Sequence, residues 1–350
     1  MESVESVWLQ YKYNYDSAYE AFCYQNCIKQ VLEAKGISGA NYAINHSMTC
    51  EAVLREKDII DFHYSEYAYD VLSTFKDKIH RQDDLRESKE VLEDNLREIN
   101  NGNAIIVSAD IYFLPYLTFY KKKHGRHNVI LAGNKDKDTV YVIDWMAPWY
   151  YKGEISKKEL FLARNSNNEF DGGIFSGIEI KNNWTLIEDW EWEIDKVILS
   201  KELFRLSYDE YYTGFVDGNK IVGIKVLYYI QDYFINLKKI NDLKILKDSF
   251  SNLYECIFLL VKRKQFLLYQ VKEIYNDEVL KGLCDCKIMK QYICSIEQVL
   301  KKWKRFLGLL LKESIKPKWE NKSILLMQLK DLIEEEETEK IVLEKIISNL

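Results

Sequence analysis

Three residues in this chain have the types and positions for nucleophilic chemistry. His127 and Asp144 end the run HNVILAGNKDKDTVYVID, and Cys23 opens the run CYQNCIKQVLEAKG. An imidazole held against a carboxylate has its tautomer fixed and its basicity raised. Those are two of the three parts of a nucleophile–base–orienter arrangement. A cysteine in the first turn of a helix supplies the third, because the N–H groups and dipole there stabilise a thiolate. The same N–H groups can receive an oxyanion. Each feature also has a plain structural explanation. The His–Asp pair fits an exposed contact at a hairpin end, and Cys23 and Cys27 fit two small buried hydrophobes one helical turn apart.

The elements that must position these groups are a hairpin and a helix. HNVILAG and DTVYVID are rich in Val, Ile and Tyr, and Asn134-Lys135-Asp136-Lys137 supplies turn residues between them. With those four residues as the loop, Gly133 faces Asp138, Leu131 faces Val140, Val129 faces Val142 and His127 faces Asp144. Opposed residues hold their side chains in contact on one face, and a one-residue slip sends them to opposite faces. Around Cys23, the stripe Ala21, Ile28, Val31 and Leu32 predicts a helix that stops at Gly36.

The rest of the chain divides near residue 200. Residues 65–79 and 87–102 read as helices, 104–110 as a buried strand, 157–164 as a short helix, 171–180 as a strand and 184–192 as a closing segment. Residues 219–239, 241–276, 279–313 and 320–349 carry apolar stripes at helical period, with Pro317 between the last two. The expected domains are therefore 1–200, holding the candidate site, and 201–350, a helical bundle large enough for its own core. A basic cluster, Lys121, Lys122, Lys123, His124 and Arg126, precedes His127. It is a solvated turn or an anion-attracting rim. Trp145, Pro148, Trp149, Tyr150 and Tyr151 follow Asp144 and would roof a pocket beside it, although ordinary apolar packing explains them equally well.

Bulk properties exclude several classes. The chain has 350 residues, 47% hydrophobic and 30% charged, which is globular. A net charge of -6 argues against a nucleic-acid binder. Seven unevenly spaced cysteines are no secreted disulfide framework and fit free thiols in a reducing cytoplasm. MESVESVWLQYKYNYD lacks a basic start and an apolar core, so no signal peptide is expected, and no apolar run is long enough to span a bilayer. His46, His63 and His80 lack metal-ligand spacing, and Cys256, Cys284, Cys286 and Cys294 match no standard zinc pattern, so no metal is expected.

Four segments in order carry a resemblance: CYQN at 23–26, DIYFLPY at 110–116, YKKKHGRHN ending in His127 and Asn128, and the G-x-x-x-x-x-x-V-Y-V-x-D run ending at Asp144. Over about residues 15–200 the chain resembles the N-terminal domain of the butirosin biosynthesis protein H family. Those proteins are papain-like acyltransferases that move an acyl group from a carrier-protein thioester to an amine. The combination also looks like the amide-forming cysteine-protease homologues of closthioamide assembly. The resemblance implies an α+β, papain-like fold: a helix carrying Cys, packed on an antiparallel sheet carrying His and Asp, followed by an all-helical region. It implies Cys23 as nucleophile, His127 as base and Asp144 as orienter. Tyr112, Trp145 and Trp149 would meet substrate, and Lys121, Lys122, Lys123 and Arg126 would dock an acyl or peptidyl carrier protein. The donor would arrive on the carrier's phosphopantetheine arm, a small amine would accept, and no other cofactor, nucleic acid or membrane is implied. The chain departs from the family pattern at Phe22, where many members have His, at the longer Gly133-Asn134-Lys135-Asp136 turn, and at Trp145 in place of Pro. Two further functions remain open on these residues: a cysteine peptidase or thioester hydrolase of the same fold, and a non-catalytic binding module.

Overall fold

The computed structural model describes residues 7–13, 16–55, 59–63, 73–146, 149–167, 180–188, 191, 193–236, 243–316 and 322–350. In chain order the elements are helices α1 (Val7–Gln10) and α2 (Cys23–Ala34), then strands β1 (Glu51–Arg55), β2 (Ile59–His63) and β3 (Ile79–Gln82). Helix α3 (Ser88–Asn100) leads to strands β4 (Ala104–Asp110), β5 (Arg126–Asn134), β6 (Thr139–Met146) and β7 (Trp149–Ser156). Helix α4 (Lys157–Arg164), strand β8 (Trp184–Ile187) and helix α5 (Lys196–Ser207) follow. Strands β9 (Val216–Asp217) and β10 (Lys220–Val222) precede helices α6 (Lys225–Asn236), α7 (Leu243–Asn276), α8 (Cys286–Ile315) and α9 (Lys322–Ile347). The fold is α+β with antiparallel sheets. Among the described residues no helix is long and apolar enough to cross a membrane.

The chain forms two compact units, residues 1–44 with 70–194, and 45–69 with 195–350. The sequence places the expected division at residue 200. Residues 45–69 depart from it, because β1 pairs with β10 and draws that segment into the second unit. The first unit is built on a six-stranded sheet in the order β3-β8-β4-β5-β6-β7. β4 lies inside it, and all seven of its residues are buried, as the apolar run AIIVSAD predicts for a covered strand. Helix α2 packs on β4, β5 and β6. Its C-terminus closes where Gly36 N–H meets the Glu33 carbonyl at 2.9 Å. Ser156 caps α4, accepting the Glu159 N–H at 3.2 Å, which accounts for a helix over 157–164.

Several expected elements differ. Within 65–79 only 73–79 is described; it forms a 3₁₀ turn, and Ile79 then pairs with Ile187. Residues 184–187 are a strand between β3 and β4. The strand expected at 171–180 falls, apart from Ile180, outside the described residues. The helix expected from 219 starts at Lys225, because Val216–Asp217 and Lys220–Val222 turn back on each other about Gly218. Helix α8 starts at Cys286 rather than 279, where Asp285 accepts the N–H groups of Lys287 and Ile288.

The second unit holds a sealed polar knot. Lys264 Nζ on α7 lies 2.7 Å from Glu336 Oε2 and 3.0 Å from Glu339 Oε1 on α9. Tyr212 donates its hydroxyl to Glu339 at 2.7 Å, and Trp303 on α8 donates its indole N–H to Glu336 at 2.8 Å. One ammonium thus faces two carboxylates at zero exposure. Burial pushes Glu339 up to about 7; Lys264 opposes this and the charge of Glu336 adds to it. A carboxyl raised from about 4.5 in the unfolded chain stabilises the fold fully below that value, and the contribution is lost as pH rises through about 7. Glu339→Gln should flatten this part of the stability curve, by on the order of 1–3 kcal/mol between pH 5 and 8. Denaturant melts of both proteins across that range measure it, and parallel curves would mean that Glu339 titrates normally.

Candidate functional site

The hairpin forms, but in a register other than the expected one. Asp136 accepts the Asp138 N–H at 2.8 Å, and Lys135 and Asp136 both donate to the Thr139 carbonyl. The turn therefore reaches to Thr139, and Gly133 faces Tyr141 instead of Asp138. That shift of three would by itself put His127 and Asp144 on opposite faces. A β-bulge between Leu131 and Gly133 takes back one residue, so Leu131 faces Val142 instead of Val140. Gly133 has φ +142° there, a conformation that favours glycine. Counted on from Ile130 opposite Ile143, His127 comes opposite Met146. Asp144 is then its diagonal neighbour on the same face, within reach of a long side chain.

The contact is made: His127 Nε2 lies 2.7 Å from Asp144 Oδ1, with both side chains buried. Asp144 Oδ2 accepts the hydroxyl of Tyr116 at 2.9 Å. With Nε2 engaged, the ring's other edge is left for Cys23, whose sulfur is hydrogen-bonded to His127. Cys23 is the first residue of α2, half-buried, and no side chain caps that helix start. Asn128 donates its side-chain amide to Cys23 Sγ at 3.3 Å, and its backbone N–H bonds the same sulfur. Cys27, one turn on, is buried and donates its S–H to the Asn128 carbonyl at 3.4 Å.

The electrostatics separate the two thiols. Burial alone would raise Cys23, but the hydrogen bond and charge of His127, with the two Asn128 donors, outweigh it and hold the thiol below its ordinary range. Cys27 goes well above it, through burial first and then the charges of Cys23 and Asp144. Burial would lower His127, yet Asp144 and Cys23 hold it well above the usual histidine value. The arrangement thus favours a thiolate at Cys23 beside an imidazolium at His127.

The other expected site residues are placed differently. The Tyr112 ring stacks on His124, with centroids 4.2 Å apart. It belongs to a loop pinned by Asp110, whose carboxylate accepts the Tyr112 and Gly125 N–H groups, the Ser166 hydroxyl and a contact from His124 Nδ1 at 2.7 Å. A surface cleft of about 410 Å³ beside this loop is lined by Phe113, His124, Phe161 and Ser166, and it includes neither Cys23 nor His127. Trp145 is half-buried against Tyr150, with centroids 4.7 Å apart. Trp149 lies in β7 opposite Met146, and its side chain lies outside the described residues. Of the basic cluster, Lys121, Lys122 and Lys123 are all exposed. Lys121 folds its ammonium over the rings of Tyr112, Phe113 and Tyr120, and Arg126 turns inward, 3.4 Å from the Ser108 hydroxyl. Among the described residues, no group of three or more His, Cys, Asp or Glu is placed to hold a metal ion.

Two groups at the site, Asn128 and Tyr116, escaped sequence reasoning. Asn128 carries a usable signal, a polar residue beside His127 in an otherwise apolar strand. Tyr116 stands in the DIYFLPY segment, but nothing there points to its partner Asp144, 28 residues away.

Residues 56–145 match the family model described as Butirosin biosynthesis protein H, N-terminal. The matched stretch contains His127 and Asp144, and Cys23 precedes it. No curated protein matches the chain.

Alkylation of Cys23 by iodoacetamide, followed by peptide mass spectrometry, should show a midpoint below the ordinary thiol value of about 8.5. Cys27→Ala should keep that behaviour. A wild-type midpoint at the ordinary value, or preferential labelling of Cys27, would reverse the assignment.

Proposed function

We propose that this chain is a cysteine-nucleophile acyltransferase of papain-like arrangement. It would move an acyl group from a carrier-protein thioester through Cys23 to an amine, in antibiotic or nonribosomal peptide biosynthesis. The observation that carries this reading is the unbroken line of contacts from Cys23 through His127 to Asp144, with the thiol held low and the imidazole held high. The family match at 56–145 supports a biosynthetic enzyme.

The chemistry runs in two halves. The Cys23 thiolate attacks the thioester carbonyl, the carbonyl π pair moves to oxygen, and the backbone N–H of Cys23 helps hold the oxyanion. The intermediate collapses, the C–S bond to the carrier breaks, and His127 gives its proton to the departing thiolate. His127 then takes a proton from the incoming amine, whose lone pair attacks the acyl-enzyme. Collapse forms the amide and returns Cys23 as thiolate beside a protonated His127. The thioester is already activated, so no nucleotide is required. Asp144 holds the ring through both halves, and Asp144→Asn should lower turnover by on the order of a thousandfold while keeping the fold. A loss of less than about tenfold would remove Asp144 from this role.

The aromatic side chains beside Asp144 fit a wall that limits water at the acyl-enzyme. Trp145 packs on Tyr150, and Tyr116 lies flat on Tyr151. Lys122 and Lys123, exposed just before the site, suit an acidic carrier. Changing both to Glu should slow transfer from the carrier by about tenfold and spare an N-acetylcysteamine thioester. Equal slowing with both donors would mean damage to the site.

The deciding experiment offers acyl-loaded carrier and a panel of amines, then measures amide against free acid. Amide should dominate at millimolar amine and saturate with its concentration. Dominant free acid, or peptide cleavage without a carrier, would make the protein a thioester hydrolase or peptidase instead.

A further inference from the structure

Asp144 is the innermost group of the site, and its carboxylate has two oxygens to satisfy. Only Oδ1 is used on His127. Oδ2 depends on the Tyr116 hydroxyl at 2.9 Å. A buried carboxylate that loses a donor is free to turn about its last bond, and turning breaks the contact that orients the imidazole. How Tyr116 is held therefore bears on the whole line.

It is held from one side by an aromatic clamp. Asp144 and Tyr151 are register partners across β6 and β7, so both side chains rise on the same face. The Tyr116 ring lies on Tyr151 with centroids 3.9 Å apart and planes 4° from parallel. Tyr151 is fixed in turn, because its hydroxyl donates to the Glu154 carbonyl at 2.7 Å. That bond requires glycine at 153, where a Cβ would stand 2.7 Å from the Tyr151 hydroxyl oxygen. The links run without a gap from Gly153 through Tyr151, Tyr116, Asp144 and His127 to Cys23.

We propose that Tyr116, clamped by Tyr151 over Gly153, is a positioning residue that orients the Asp144 carboxylate and so sets the thiolate–imidazolium balance between Cys23 and His127. The role rests on the acyl-transfer reading of the site. Burial first, then the charge and hydrogen bond of Asp144, hold the Tyr116 phenol well above its ordinary value. The hydroxyl therefore stays protonated, and donates, wherever the enzyme works. The hydroxyl of Tyr116 bonds Asp144 and its ring stacks on Tyr151, so its effect on Cys23 is transmitted through Asp144.

The test is the pH dependence of Cys23 alkylation by iodoacetamide in the full chain, read by peptide mass spectrometry so that the other cysteines do not interfere. Tyr116→Phe keeps the ring and its stacking and removes only the donor. Its midpoint should move up toward the ordinary thiol value by about one pH unit, a tenfold loss of labelling at pH 6. Tyr151→Leu removes the clamp and leaves every hydrogen bond to Asp144 in place, and should shift the midpoint the same way by less. A merely structural role would lower the melting temperature and leave both midpoints where they are. A Tyr116→Phe curve that superimposes on the wild type overturns the proposal, as does a shift from Tyr151→Leu alone. Alkylation needs no acyl donor, so the two claims can fail separately. An unshifted midpoint with normal acyl transfer removes the positioning role alone. An ordinary thiol midpoint in the wild type removes the triad and the positioning role together.

Discussion

Everything at the candidate site depends on face parity in one hairpin. Side chains alternate along a strand, so the number of residues in the turn decides which pairs can meet. The turn in this protein is long by an odd count, because the Asp136 carboxylate captures the Asp138 N–H and extends the loop. The bulge between Leu131 and Gly133 restores the parity. His127 and Asp144 therefore meet as diagonal neighbours, although each deviation alone would have parted them. Bulges commonly re-aim side chains near functional sites, and Gly133 supplies the positive φ that this one needs.

Once the pair has met, burial and hydrogen bonding set its properties. Burial by itself would neutralise both Cys23 and His127, raising one and lowering the other. Each is held charged by the other and by fixed donors. Asn128 reaches the sulfur with two N–H groups, and Tyr116 fills the carboxylate oxygen that His127 leaves. Asp110 works at a distance by tying down the loop that leads into β5. Cys27 shows the contrast, since it shares the helix but meets only a carbonyl, and it behaves as a packed hydrophobe with a raised thiol.

The knot in the second unit obeys the same rule with a different outcome. Both clusters set one cationic group against two acidic ones. At Cys23 the extra negative charge sits on a residue that is only partly buried, with amide donors directed at its sulfur. Around Lys264 it sits on a carboxyl sealed from water, and the proton is retained until pH about 7. Access to solvent and a surplus of donors decide whether a third charge can be kept.

The local rules in the sequence carried much of this. The apolar run AIIVSAD marked β4, residues 157–164 were legible as a short helix, and an apolar stripe ending at Gly36 marked α2 with Cys23 at its start. The long helices α7, α8 and α9 follow from period alone. These features lie within a few residues of their cause, so sequence determines them. Register did not follow, because a side-chain bond in the turn and a bulge are each worth little energy and each shift every later pairing. Nor did the partners of the site, since Asn128 meets Cys23 and Tyr116 meets Asp144 only after distant strands and helices have packed. Residues 45–69 joined the second unit through the pairing of β1 with β10, a contact across more than 150 residues. Sequence alone marked the long periodic helices, the covered strand β4 and the residue types that could do chemistry. Only tertiary structure settled which of those residues touch, because contact depends on the summed geometry of every turn between them.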